Sequence, residues 1–152
     1  MYLIHSINDI ELNNVYFGDS IKNTVLNNSK FTRILYSTSL YVLNTTLIII
    51  KMQDVQVEYS YNKYKCTFSP EKNMSFIRKI NSLETSLLSR MKSSKKPVYN
   101  ITQQLYSGII KLFMNTTNYE RKIDIVLKIS GIWESADEIG ITYKFMMLQP
   151  MH

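Results

Sequence analysis

The chain has 152 residues, 45% of them hydrophobic, enough for one domain with a single apolar core. Lys and Arg number 18 against 12 Asp and Glu, and the formal net charge of +6 favours anionic partners, a statement about association and not about fold. A single cysteine, Cys66, and two histidines, His5 and His152 near opposite ends, exclude an internal disulfide and leave no ligand set for a structural zinc.

The opening MYLIHSINDIEL lacks the basic and apolar regions of a secretory leader, and the longest apolar run, Leu47-Ile48-Ile49-Ile50, is far short of a membrane span. The expectation is an intracellular, reducing compartment, not secretion. The sequons at Asn27, Asn44, Asn73, Asn100 and Asn115 are then expected to go unused.

Residues 15–51 are rich in β-branched and aromatic side chains. Segment 23–30 (NTVLNNSK) predicts a turn between short strands. In 31–35 (FTRIL) the period is two, with Phe31, Arg33 and Leu35 on one face and Thr32 and Ile34 on the other. Segments 41–43 and 46–52 predict two strands joined by a tight turn at Asn44-Thr45. In 55–68 (VQVEYSYNKYKCTF), Val55, Val57, Tyr59 and Tyr61 alternate with polar residues. After Asn62-Lys63 the apolar phase passes to Tyr64, Cys66 and Phe68. That slip predicts a turn or a β-bulge, a device that bends sheets into barrels.

Ser69-Pro70-Glu71 reads as a helix start, with Ser69 as N-cap and Pro70 at the first position. Met74, Ile77, Ile80, Leu83, Leu87, Leu88 and Met91 then recur at helical spacing. They predict one substantial α-helix over residues 70–91 whose stripe packs on a sheet. Residues 90–96 (RMKSSKK) predict an exposed loop stopped by Pro97. Residues 98–114 are expected to return to the sheet, with a short helical turn at 102–106 as the alternative and Gly108 where backbones approach or bend. Residues 115–120 predict a loop. Ile123, Ile125, Leu127 and Ile129 then share one strand face, and Lys122, Asp124, Val126, Lys128 and Ser130 the other. A turn at 135–138 leads back through Ile139, Ile141, Tyr143, Phe145 and Met147, a hairpin long enough to bend around a small barrel.

The sequence has no G-x-G-x-x-G, P-loop, G-x-S-x-G or H-E-x-x-H. Ser89-x-x-Lys92 stands without the partner motifs of serine acyltransferases, and Asp137-Glu138 falls in a turn. Both histidines lie near termini, poor places for a general base. The expectation is a non-catalytic protein with no cofactor and no metal.

Binding a single nucleic-acid strand needs cations for phosphates and rings for bases. Basic and aromatic residues interleave at three places. Residues 59–68 hold Lys63, Tyr64 and Lys65; residues 31–36 hold Arg33; the C-terminal hairpin holds Lys122, Lys128, Trp133, Tyr143, Lys144 and Phe145. By phase, Lys128 and Lys144 lie on the outer face, and Tyr143 and Phe145 face the core. At Trp133, beside Gly131 and Glu134, the phase leaves a core plug and a stacking ring both open. The bland reading stands beside this one, because strand aromatics pack in cores more often than they stack on bases, and lysines can simply solubilise a sheet.

The run LKISGIWES at 127–135 followed by IGITYKF at 139–145 resembles the ending of single-stranded DNA-binding proteins of large DNA viruses. VYFGDSIKN at 15–23, NKYKCTF at 62–68 and, after the helix, QLYSGIIKLF at 104–113 are similar to that group, in the same order, over nearly the whole chain. The resemblance implies a mainly β fold, an OB-like β-barrel with a helix, forming one domain over residues 1–152. It implies binding of single-stranded DNA with little sequence preference, in viral DNA replication or recombination. It points to Lys128, Trp133 and Lys144 in the ending and to Lys63, Tyr64 and Lys65 in the central strand; the residue pattern adds Arg33. The ending Gln149-Pro150-Met151-His152 departs from the acidic tail with which many replication-type binders recruit partners.

The expected partner is therefore single-stranded DNA, with RNA left open, and not a membrane. Self-association through open strand edges and contact with viral replication proteins are expected too, in the host nucleus or a cytoplasmic replication site. The alternative is a small viral structural or host-interaction protein whose sheet binds other proteins.

Overall fold

Period-two segments become strands and the one long helical stripe becomes a helix in the computed structural model, which describes residues 3–22, 29–114 and 124–148. In chain order the strands and helices are β1 (Ile4–His5), β2 (Val15–Lys22), β3 (Lys30–Ser37), β4 (Val42–Leu43), β5 (Thr46–Ile49), β6 (Gln56–Ser60), β7 (Lys63–Thr67), α1 (Met74–Arg90), β8 (Lys96–Pro97), α2 (Asn100–Ser107), β9 (Ile109–Met114), β10 (Asp124–Glu134) and β11 (Glu138–Leu148). The protein is mainly β with one long helix, as the sequence predicts.

The β10–β11 hairpin is the centre of the sheet. It is antiparallel from Asp124↔Leu148 to Glu134↔Ile139. Ser135 closes the turn, its N–H donating to Glu138 O at 2.9 Å and its Oγ accepting from Glu138 N at 3.0 Å. The free edge of β10 is divided between two strands. Residues 126–129 pair with β5, and residues 131–134 pair with β3. Ser130, between the two, is an extra residue in the β11 ladder, a β-bulge. On the far edge of β11, β8 and β9 pair in parallel. β9 carries β7, which carries β6; β3 carries β2 and β4; β1 lies parallel to β5.

Four sequence expectations change. The ladders among the described residues leave β1, β2 and β6 at open ends, so the expected barrel closure is not made. The strands around Asn44-Thr45 do not pair with each other: β4 joins β3, and β5 enters between β1 and β10. Thr46, Leu47 and Ile48 are all buried, and such a segment needs neighbours on both edges and both faces. Ser69 is not the N-cap. The first turn, Glu71–Asn73, is a 3-10 turn, and the Asn73 amide ties it down by donating to Ser69 O at 2.9 Å and Gln53 O at 3.1 Å and accepting from Gln53 N. Residues 100–107 form α2 and not strand, and Gly108, at φ 77°, ends it.

The slip near Asn62-Lys63 is a hairpin turn on Tyr61 and Asn62, joining β6 to β7. Of the predicted turn at 23–30, residues 23–28 lie outside the described residues. So do the loop at 115–120, Lys122, Ile123 and the tail 149–152.

Both helices pack on one face of the sheet. Phe76, Ile77, Ile80, Leu83, Leu87 and Leu88 of α1 share a core with Ile34, Ile48, Ile129, Ile132, Ile139 and Phe145 of the strands. Each such side chain, when fully buried, stabilises the fold by roughly 1.5–3 kcal/mol. Glu84 of α1 is 1% exposed and caps α2 from outside it: its carboxylate accepts from Ile101 N and Thr102 N, each at 3.0 Å, and from Thr102 Oγ1 at 2.7 Å. This tertiary cap accounts for a helix over 100–107, longer than the turn at 102–106 that the sequence offers only as an alternative. Tyr143 of β11 donates to Gln104 Oε1 at 2.7 Å and Asn100 O at 3.3 Å; burial, with the Glu84 charge, pushes its phenol up to about 12.

Two outcomes follow from these buried polar groups. Glu84→Ala orphans three donors and should cost about 3 kcal/mol or more in urea unfolding, at roughly 1–3 kcal/mol per buried group. A cost under about 1 kcal/mol would mean that water satisfies them. His5, buried on β1 against Tyr36 and 3.3 Å from Tyr41 Oη, is held below its ordinary pKa of 6.5, first by desolvation, with Asp9 opposing. The unfolded chain then binds this proton more readily than the fold. Stability should fall as pH drops below 6.5, and His5→Gln should flatten that slope. Equal slopes in pH-dependent urea titrations would remove His5 from the account.

Candidate nucleic-acid interface

Strand alternation turns a second set of residues away from the helices. On β10 and β11, Lys128 stands directly opposite Lys144; on β7 and β9, Lys65 stands directly opposite Lys111. Cross-strand partners share a face, so each ladder carries a like-charge pair, which destabilises a sheet. Phe113 of β9 links the two pairs. The Lys111 and Lys144 ammonium groups each lie 5.1 Å from its ring centroid, and the ring is 41% exposed. Cation–π attraction of about 0.5–1 kcal/mol at an exposed site offsets part of the repulsion. Glu58, opposite Lys65, approaches it at 3.8 Å with both side chains about half exposed, an ion pair worth little in water. Lys63 is exposed at the start of β7. At one corner of this face Leu47, Val126 and Leu148 form a small separate apolar cluster with Met146.

The bulge at Ser130 decides where Trp133 points. Before it, Ile125, Leu127 and Ile129 are buried; after it, Ile132 is. Unbroken alternation from Ile129 would send Trp133 into the core. The extra residue instead puts Ile132 inside and turns Trp133 to the lysine face, half-buried. Its indole lies over Gly140, its partner on β11, where a Cβ would overlap the ring. Phe31 of β3 sits opposite Trp133 on the other edge and covers Gly131 in the same way. Arg33 lies opposite Gly131, exposed, with its guanidinium carbon 5.7 Å from the Phe31 centroid and Nη1 donating to Asn44 O at 3.3 Å.

No protein-family model matches this sequence, and no curated protein or solved structure matches it. The chemistry of the face itself carries the reading.

Six of the seven residues singled out in the sequence, Arg33, Lys63, Lys65, Lys128, Trp133 and Lys144, share this face. Tyr64 does not. It pairs with buried Leu112 and packs against the main core, with its ring 4.6 Å from Tyr59. Alternation with Lys63 and Lys65 requires this, so Tyr64 supports the strand from behind. Lys111, Phe113 and Phe31 join the face beyond the seven residues that the sequence points to. Ile110 and Leu112 are buried while Lys111 and Phe113 are exposed, so the period-two pattern of IIKLF held the signal. Among the described residues no three of His, Cys, Asp and Glu gather as metal ligands. Burial pushes the Cys66 thiol up to about 11, which keeps it protonated and unreactive at neutral pH.

Because the indole seat has no room for a methyl group, Gly140→Ala should shift the emission of Trp133, the only tryptophan, to longer wavelength and lower the melting temperature. Unchanged emission would mean that the indole is not seated there.

Proposed function

We propose that this protein binds single-stranded nucleic acid without catalysis, through the outer face of its sheet. The observation that carries the reading is the pair of lysine–lysine oppositions, Lys128 with Lys144 and Lys65 with Lys111, joined through Phe113. Opposed like charges cost the free protein stability, and a phosphate backbone laid across them removes that cost. Local departures from optimal packing of this kind concentrate at functional sites. The ring of Phe113 adds a flat apolar surface between the cations. Trp133, Phe31 and Arg33 extend the same combination toward β3. Rings beside cations suit unpaired bases, which present a stackable face that a duplex hides.

Charge alone does not select this face. A cavity of about 220 Å³ near the start of α1 is lined by Lys51, Lys72 and Lys79. There Lys72 already pairs with Asp54 at 3.2 Å, and Phe76, the ring in the lining, is buried. DNA as the ligand, and a role in viral replication or recombination, rest on the resemblance of the C-terminal hairpin. A protein-binding role has its own support in the exposed Leu40 and Val42 beside β3, 87% and 63% exposed.

Comparing single-stranded with duplex oligonucleotides at physiological salt separates the two readings. The proposal requires preference for the single strand and a plot of log K against log salt with slope of about −3, from roughly −0.7 for each of four phosphates. Replacing Lys128 and Lys144 together by Ala should reduce the magnitude of that slope by about 1.4 while leaving stability equal or higher. Equal affinity for duplex, or full affinity in the double variant, would reject it.

A further inference from the structure

The β6–β7 hairpin turns on Tyr61 and Asn62, with φ of 52° and 61°. Two-residue turns with both central residues at positive φ favour Asn, Asp and Gly. Asn62 fits. Tyr61 does not: an aromatic side chain in the left-handed region is strained by its own Cβ. Packing does not repay the strain, because Tyr61 is 96% exposed, more than any other large hydrophobic residue among those described.

The surroundings of the turn are built. Tyr59 donates from its hydroxyl to Asn62 Oδ1 at 3.0 Å, and its ring lies 4.6 Å from that of Tyr64, so the tip is braced from one side. Lys63 follows on the other side, exposed, in the strand that carries Lys65. A strained, solvent-facing ring is thus held at the end of the row of cations that crosses the sheet. Strain kept without a packing return marks a site where function needs the residue.

We propose that Tyr61 is a base-stacking contact, placing the β6–β7 tip at one end of the nucleic-acid path. The inference rests on the function proposed above and extends it to a residue off the sheet face. Stacking accepts any base, since every base has a flat face, so the contact adds affinity without sequence preference.

Tyr61→Asn tests it with fluorescein-labelled oligo-dT in anisotropy titrations, beside thermal unfolding by circular dichroism. Asn suits the turn, so the melting temperature should rise, while affinity should fall about five- to tenfold with the loss of one stacked base. Tyr61→Phe, which keeps the ring, should bind as the parent does. A lower melting temperature for Tyr61→Asn would make the ring structural and overturn the proposal. So would parental affinity in Tyr61→Asn alongside weakened binding in the Lys128/Lys144 double variant; the sheet-face reading would then survive alone. A loss in Tyr61→Phe equal to that in Tyr61→Asn would replace stacking with a hydroxyl contact. If the parent protein itself fails to bind oligo-dT at low salt, both proposals fall.

Discussion

The structure depends on one constraint: β10 has a single free edge and two strands compete for it. β5 takes residues 126–129 and β3 takes residues 131–134. The change of partner falls at Ser130, where the β11 ladder on the other edge carries its bulge. One extra residue does two things. It separates the residues paired with β5 from those paired with β3, and it reverses the inside–outside phase of the strand. Val126 and Leu127, on opposite faces just before it, are both fully buried, so the strand is fixed on every side. With β10 so fixed, Ile132 enters the core and Trp133 leaves it.

Buried polar groups lock the two helices and the loop before them into one layer. Glu84 of α1 accepts three hydrogen bonds from the first turn of α2, and Asn73 ties the start of α1 to the segment after β5. Inside a protein such contacts are directional and costly to break. The shared apolar core and the Tyr143 hydroxyl, which donates to Asn100 O and Gln104 Oε1, hold the helices to the Ile129 and Phe145 side. The opposite side keeps Lys65, Lys111 and Lys144 exposed and Lys128 half-buried. A helix lying there would have to desolvate Lys111, Lys128 and Lys144 together, at several kcal/mol for each unpaired ion.

The outer face therefore combines two kinds of local compromise. Like charges oppose each other across two ladders, and aromatic rings lie over glycines, which weaken strands. Gly131 and Gly140 make room for Phe31 and Trp133 where side chains of their own would have packed. Both compromises cost the free sheet stability, and on the function we propose an anionic, flat-faced ligand offsets that cost.

Local periodicity in the chain specifies the strands of regular alternation, the long helix, the C-terminal hairpin with its turn, and the outward set of Lys128 and Lys144. These are periodic features, and period follows from backbone geometry within one segment. It also showed that Tyr143 and Phe145 face the core, and it held Lys111 and Phe113 in a legible alternation. The remaining features depend on contacts between distant segments. The bulge at Ser130 falls where β10 passes from β5 to β3, both distant from it in the chain. Helix α2 answers to a carboxylate on α1. The pairing of Lys65 with Lys111 joins two strands separated by both helices. In each case the deciding contact lies far away in sequence, where local periodicity carries no information, and so the side taken by Trp133 became readable only once β10 had its neighbours.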